Sequence, residues 1–231
     1  MDWQAFFLTL RLATVTTAIL LAVAIPLSAW LVLGRARWPA AAGWFASVEA
    51  LATLPLVLPP TVLGFFLLVL LGPRTAFGRG IAALLGHPLA FSFDGLVVGS
   101  VIYSFPFAVQ PLVAGFAAVP SSLVDAARLL GAGPARIVAT LLVPLARRSL
   151  VTAGVLAFLH TVGEFGVVLM LGGDIPGSTR TLSILLYNQV EDFDYAAAER
   201  TSAILLSLSV LALAAIYWRS RGRGARGGSR A

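Results

Sequence analysis

The sequence predicts an all-α, polytopic membrane protein with about five transmembrane helices. Three observations predict it. Five long apolar stretches fill most of the chain, and a bilayer span needs about 20 mostly apolar residues. Only 11% of the residues are charged against 59% hydrophobic, where a soluble domain carries roughly 25% charge; so little charge cannot clothe a water-facing surface. Finally, every basic residue is Arg, and most of them fall between or after the apolar stretches, where the sidedness of membrane proteins places them. A chain of 231 residues then holds one transmembrane domain over 1–218, a basic tail over 219–231 and no separate soluble module.

The first span is expected from about Phe7 to Leu33, with Pro26 as a possible kink and Arg35, Arg37 and Trp38 as an interfacial girdle. The second, about Ala50 to Leu71, contains Pro55, Pro59 and Pro60. These interrupt its hydrogen-bond ladder, which lipid tolerates only where protein or a water-lined cavity re-satisfies the backbone. Residues 72–92 read as a loop with a short helix near Arg79–Leu85; His87 has no acid beside it in sequence and reads as a loop residue. The third span, about Leu96 to Val119, is broken by Pro106 and Pro111. A bridge over 120–149 leads to the fourth, about Leu150 to Leu171. A polar loop over 172–196 precedes the fifth, about Ala197 to Trp218. A cleaved leader is not expected, because residues 1–7 lack a basic region.

Arg placement sets the expected orientation. With the N-terminus outside and the bridge inside, the inner side holds Arg35, Arg37, Arg128, Arg136, Arg147, Arg148 and the tail residues Arg219, Arg221, Arg223, Arg226 and Arg230. The outer side holds Arg11, Arg74, Arg79, Arg180 and Arg200. The tail reads as a juxtamembrane anchor in contact with the bilayer rather than a nucleic-acid-binding segment. With no Cys, disulfides, thiolate metal sites and Cys nucleophiles are excluded. With no Lys and no Gly-x-x-x-x-Gly-Lys-[Ser/Thr] run, the chain offers no P-loop for ATP.

The bridge carries the most specific pattern. Ser121 or Ser122 can cap a helix over Leu123–Leu130, with Asp125 in its first turn and Leu123, Ala126, Ala127 and Leu130 as an apolar stripe. Gly131 and Gly133-Pro134 end it and start a second helix, Ala135–Leu142, closed by Pro144. Two short helices at a Gly turn make a stiff knob, and Ala126, Ala127, Gly131 and Ala132 leave room for another backbone. An ordinary loop lying on the membrane is the alternative. Asp125-Ala126-Ala127, three residues, Gly131, nine residues and Leu141-Leu142-Val143-Pro144 resemble the Glu-Ala-Ala, Gly, Ile-x-Leu-Pro loop of the permease subunits of binding-protein-dependent ABC importers. Asp stands for Glu, and Leu and Val for Ile and Leu, with the spacing kept. The resemblance implies the MetI-like permease fold. It also implies that Asp125, Ala126, Ala127, Gly131, Ala132, Gly133 and Pro144 dock into an ATP-binding subunit, which holds ATP and Mg; no cofactor is expected in this chain.

In the fourth span His160 and Glu164 are four residues apart, hence on one face of a continuous helix. They read as a packing pair, a pore-lining pair or a proton relay, and Gly163 and Gly166 permit close packing or a constriction beside them. Gly163-Glu164-Phe165-Gly166 resembles the corresponding segment of molybdate, tungstate and sulfate permeases. Asp174-Ile175-Pro176-Gly177-Ser178-Thr179-Arg180-Thr181-Leu182, followed by Tyr187, is most similar to the molybdate branch, with Asp174 where Asn is usual. Arg180 could attract an oxyanion, but an ion pair with Asp174 or Glu191 that folds the loop is preferred. The resemblance implies a bacterial inner-membrane protein that pairs with a second copy of itself and two ATP-binding subunits. An extracytoplasmic molybdate-binding protein would dock near Asp174, Arg180 and Tyr187. Tungstate or sulfate cargo, or proton-coupled secondary transport through His160 and Glu164, are the alternatives.

Overall fold

The computed structural model describes residues 2–221, with side chains to residue 214; the tail arginines Arg219, Arg221, Arg223, Arg226 and Arg230 lie outside the described side chains. Every regular element among the described residues is helical. Helix α1 runs Trp3–Arg37, starting four residues earlier than expected because Asp2 caps it, accepting from the Ala5 N–H at 3.0 Å. It continues through Pro26 without a break. At its end Arg35 pairs with Glu49 and donates to the Phe45 carbonyl at 3.3 Å, so this member of the expected girdle ties α1 to α2, Ala42–Thr53.

The second apolar stretch is two helices. The chain turns by 103° between the segments Pro39–Leu56 and Pro60–Leu71, because Pro55, Pro59 and Pro60 remove three N–H donors within six residues. The second arm, α3 (Pro60–Leu71), would be about 18 Å long at 1.5 Å per residue and cannot cross a bilayer alone. Helix α4, Ala76–Leu85, occupies the expected place in the following loop, capped by Thr75, whose Oγ1 accepts from the Gly78 N–H at 2.9 Å. His87 does have an acidic neighbour: its Nε2 lies 3.2 Å from Asp94 Oδ2, a contact made when the loop folds back onto the next helix.

Helix α5, Phe93–Ala117, holds both Pro106 and Pro111 and stays continuous, so these prolines do not split the third span. It is the central element, packed on α1 and on α9 (Arg147–Gly163). Leu96, Ala108, Val109, Leu112 and Phe116 are fully buried or nearly so. Between α5 and α9 come α6 (Ser121–Leu129), α7 (Pro134–Ile137), a π-helical turn (Val138–Leu142) and α8 (Val143–Leu145). The segment Pro134–Leu145 meets Arg147–Gly163 at 81°. The fourth span ends early: α9 stops at Gly163 and a separate short helix, α10 (Gly166–Gly172), follows. The segment expected as a polar loop over 172–196 contains α11 (Leu182–Glu191), before α12 (Tyr195–Arg221).

Among the described residues, three helices are long and apolar enough to cross a membrane, and the number by length and composition rises to five if each of the two bent pairs is one span. The expected five is met on that reading, with two of the five as broken elements.

Candidate coupling elbow and translocation segment

The 120–145 region folds as two short helices at a sharp turn. Pro120, with no side-chain hydrogen bond, is the residue before α6, so neither Ser121 nor Ser122 caps it. Asp125 and Arg128 pair across one turn at 3.3 Å. Gly131 has φ +82°, with nothing within 4 Å of where a Cβ would lie. The left-handed backbone, not crowding, demands glycine there. It lets the Ala132 N–H turn back to the Ala127 carbonyl at 2.9 Å, closing the turn.

The faces of the elbow differ from the expected stripe. Val124 is the buried residue of α6, while Leu123 is 44% exposed and Leu129 and Leu130 are each 89% exposed. Ala126, Gly131 and Gly133 are exposed, and Ala127 and Ala132 are half-buried. Behind them Ile137 and Leu142 are 1% and 0% exposed, in one cluster with Leu31, Phe45, Phe116 and Ala153. The elbow is thus rooted in the bundle and presents bare leucines outward. Pro144 does not close the second helix; the helical run reaches Leu145 and bends at Ala146 (φ −91°, ψ 19°).

His160 and Glu164 do not share a helix face. His160 lies in the last turn of α9 with its Nδ1 2.9 Å from the Ser104 Oγ on α5, its ring stacked on Phe107 at 4.0 Å. Glu164 lies just past the helix end in extended backbone (φ −70°, ψ 134°). Its side chain is 5% exposed. Ser100 on α5 faces the carboxylate, yet neither carboxylate oxygen has a partner with hydrogen-bond geometry, and neither does Ser100 Oγ. The break is held by its backbone: Ser183 Oγ donates to the Glu164 carbonyl at 2.5 Å. Gly166 is needed for packing, since a Cβ there would lie 2.8 Å from the Pro60 side chain, whereas Gly163 faces open space. Gly166 therefore seats α10 against the start of α3, and the two broken spans meet.

The segment after α10 is tied to itself and to α1. Arg180 donates Nε to Asp174 Oδ1 at 2.5 Å and Nη2 to Oδ2 at 3.0 Å, and Asn188 donates to the same carboxylate at 2.7 Å. Burial works against the Asp174 charge, but these hydrogen bonds and the guanidinium hold its carboxyl below the ordinary carboxylate range. Asp174, not Glu191, is thus the partner of Arg180. Thr179 donates to the Gly172 carbonyl at 2.7 Å, and the Leu182 N–H donates to Thr9 Oγ1 at 2.9 Å. Tyr187 packs on Phe165 with ring centroids 4.9 Å apart, joining the two sequence motifs. Sequence reasoning missed Ser104, Ser183 and Thr9, lone hydroxyls inside apolar runs whose only signal is their position. Among the described residues, no three His, Asp or Glu side chains converge to hold a metal.

Residues 40–221 match the family described as "Binding-protein-dependent transport system inner membrane component". The chain belongs to that family. It is a multi-pass permease subunit of a bacterial inner-membrane ABC importer, a transport subunit rather than an enzyme. Among curated proteins it is 47% identical to "Molybdenum transport system permease protein ModB" of Azotobacter vinelandii, over 94% of this chain and 93% of that one. The protein of the same name in Escherichia coli K12 is 33% identical over 95% and 94%. The fold is that of the permease in "Inward facing conformations of the MetNI methionine ABC transporter", with a TM-score of 0.73, 20% identity and 96% and 95% coverage. This permease architecture, with its elbow between the third and fourth spans, is the expected one.

Proposed function

We propose that the cargo is molybdate and that two copies of this chain, related by a two-fold axis, enclose its path, lined by the second to fourth spans. Residues 1–218 form the permease domain, with the coupling loop at 120–149, and 219–231 an inner-face tail. The N-terminus lies outside and the C-terminus in the cytoplasm. A separate ATP-binding subunit, holding ATP and Mg, grips each elbow. An extracytoplasmic molybdate-binding protein delivers cargo near Asp174, Arg180 and Tyr187. The cargo assignment is supported by the 47% identity to a molybdenum permease across nearly the whole of both chains.

One observation supports the coupling reading above all: Leu129 and Leu130 stand 89% exposed on an elbow whose Ile137 and Leu142 are locked into the core. An apolar tip on a rigid root passes a push inward once a partner covers the tip. Gly131 sets the angle between its helices. Pro144 lies near the bend where the elbow joins α9.

The charge of Arg180 is paired with Asp174 through its Nε and one Nη2 donor, so Arg180 serves the loop rather than the cargo path. Glu164 serves the wall from inside the protomer, where Gly166 and Phe165 fix the α9–α10 break against α3 and Tyr187. His160 braces α9 on α5. Proton-coupled transport loses its support, because the helix ends between His160 and Glu164 and His160 turns to Ser104.

Reconstitution with candidate ATPase and binding protein tests the reading. Labelled molybdate should enter vesicles only with ATP and both partners, and tungstate and sulfate compete to rank the cargo. Uptake by the purified chain alone, driven by a proton gradient, would overturn it.

A further inference from the structure

A groove of about 850 Å³ separates the second half of α1 from the elbow. Its α1 wall runs from Ile25 to Trp38 and its elbow wall from Gly131 to Val138. The lining is apolar along most of its length and ends at Arg37 and Arg128; among the described residues no Asp or Glu lines it. Arg37 has no carboxylate partner among the described residues, and its guanidinium lies 6.0 Å from the Trp38 ring centroid. Arg128 gives Asp125 one N–H at 3.3 Å, leaving the rest of its donor fork unused. Trp30 and Trp38 line the same side, 42% and 55% exposed.

We infer that this groove binds one anionic phospholipid, its phosphate between Arg37 and Arg128 and an acyl chain along α1 toward Ile25. The polarity fits: an apolar wall with Trp30 along it, ending at Arg37 with Trp38 beside it, matches a leaflet from its middle to its interfacial tryptophans and headgroup-binding arginines. The length fits as well. Ile25 to Trp38 covers about 20 Å of helix, and half of a bilayer that is about 40–45 Å thick with its headgroups is about 20–22 Å. Placement in the inner leaflet rests on the orientation proposed above. Leu129 and Leu130 do not line the groove, so the lipid backs the elbow on the side away from the leucines. It fills the space into which a pushed elbow would otherwise yield.

The test is native mass spectrometry of the full chain in detergent, titrated with dioleoyl phosphatidylglycerol or dioleoyl phosphatidylcholine. One phosphatidylglycerol should be retained about tenfold more than phosphatidylcholine. Arg37→Gln should erase that preference and Arg37→Lys keep most of it, with both variants eluting as the parent does. A photoactivatable phosphatidylglycerol should label 25–38 and 131–138. Equal retention of the two lipids, an unchanged preference in Arg37→Gln, labelling elsewhere, or displacement by soluble glycerol phosphate would each overturn the proposal. Binding is read without an ATPase, so its failure would leave the docking reading standing.

Discussion

The elbow and the segment from Gly172 to Asn188 both carry polar chain out of an apolar bundle, and they finish in different states. In the latter, Asp174 accepts from Arg180 and Asn188, Thr179 covers the Gly172 carbonyl, and Thr9 of α1 takes the Leu182 N–H. The elbow has one exposed ion pair, Asp125–Arg128, and two leucines bare to 89%. A segment that satisfies its own groups holds its shape without help. A segment that leaves large apolar side chains uncovered outside the bundle is shaped for a surface that arrives from elsewhere. On the proposed function, the contrast separates a self-contained cap from the element that would couple to the ATP-binding subunit.

The largest expected effect is at Gly131. Gly131→Arg forces a bulky side chain onto a backbone at φ +82°, a local penalty of about 1–2 kcal/mol that disturbs the angle between the two helices of the elbow. Uptake and transport-stimulated ATP hydrolysis should vanish while membrane insertion, read by fractionation, is unchanged. Retained coupling would break the contrast. Next, Leu129→Glu with Leu130→Glu should weaken ATPase capture by the reconstituted permease at least about tenfold, roughly 1.4 kcal/mol. The melting temperature should stay put, because surface substitutions usually move stability by less than about 0.5 kcal/mol.

Asp174→Asn probes the self-satisfied segment. It removes a bidentate ion pair only partly open to water and should lower stability by about 1 kcal/mol, a few degrees of melting temperature. The folded Asp174 carboxyl titrates below its unfolded value of about 3.9, so its stabilisation is complete above that pH and is lost as pH falls through the folded value. The gap between parent and variant melting temperatures should therefore close as pH drops from 7 to 3. A gap that widens would refute the ion pair. The smallest effect is expected at Glu164→Gln. The substitution keeps volume at a buried side chain that has no partner, and uptake should change by less than about twofold, on the order of 0.4 kcal/mol. A complete loss would move Glu164 from packing to the path.

The sequence made the spans and the elbow legible because both rest on local rules. Apolar length marks a span, and a Gly-x-Gly-Pro turn between amphipathic runs marks two helices. The prolines were legible only in part. Pro106 and Pro111 sit inside an unbroken α5, yet Pro55, Pro59 and Pro60 produce a 103° turn; the difference is density, since neighbouring turns can carry one lost donor but not a cluster. The break at Glu164 has no proline to announce it. It arises because Ser183 holds the Glu164 carbonyl and Gly166 lets α10 settle on Pro60. Such partners lie far off in sequence, and periodicity within one span cannot report them. The same blindness paired His160 with Glu164 and left His87 without Asp94.

Because the chain has no cysteine, Leu130→Cys supplies a unique reporter at the tip of the elbow. In sealed vesicles of known sidedness, a membrane-impermeant maleimide should react with it only from the cytoplasmic face. Adding the ATP-binding subunit should then protect it. Labelling from the outer face, or full reactivity with the ATPase bound, would contradict the account.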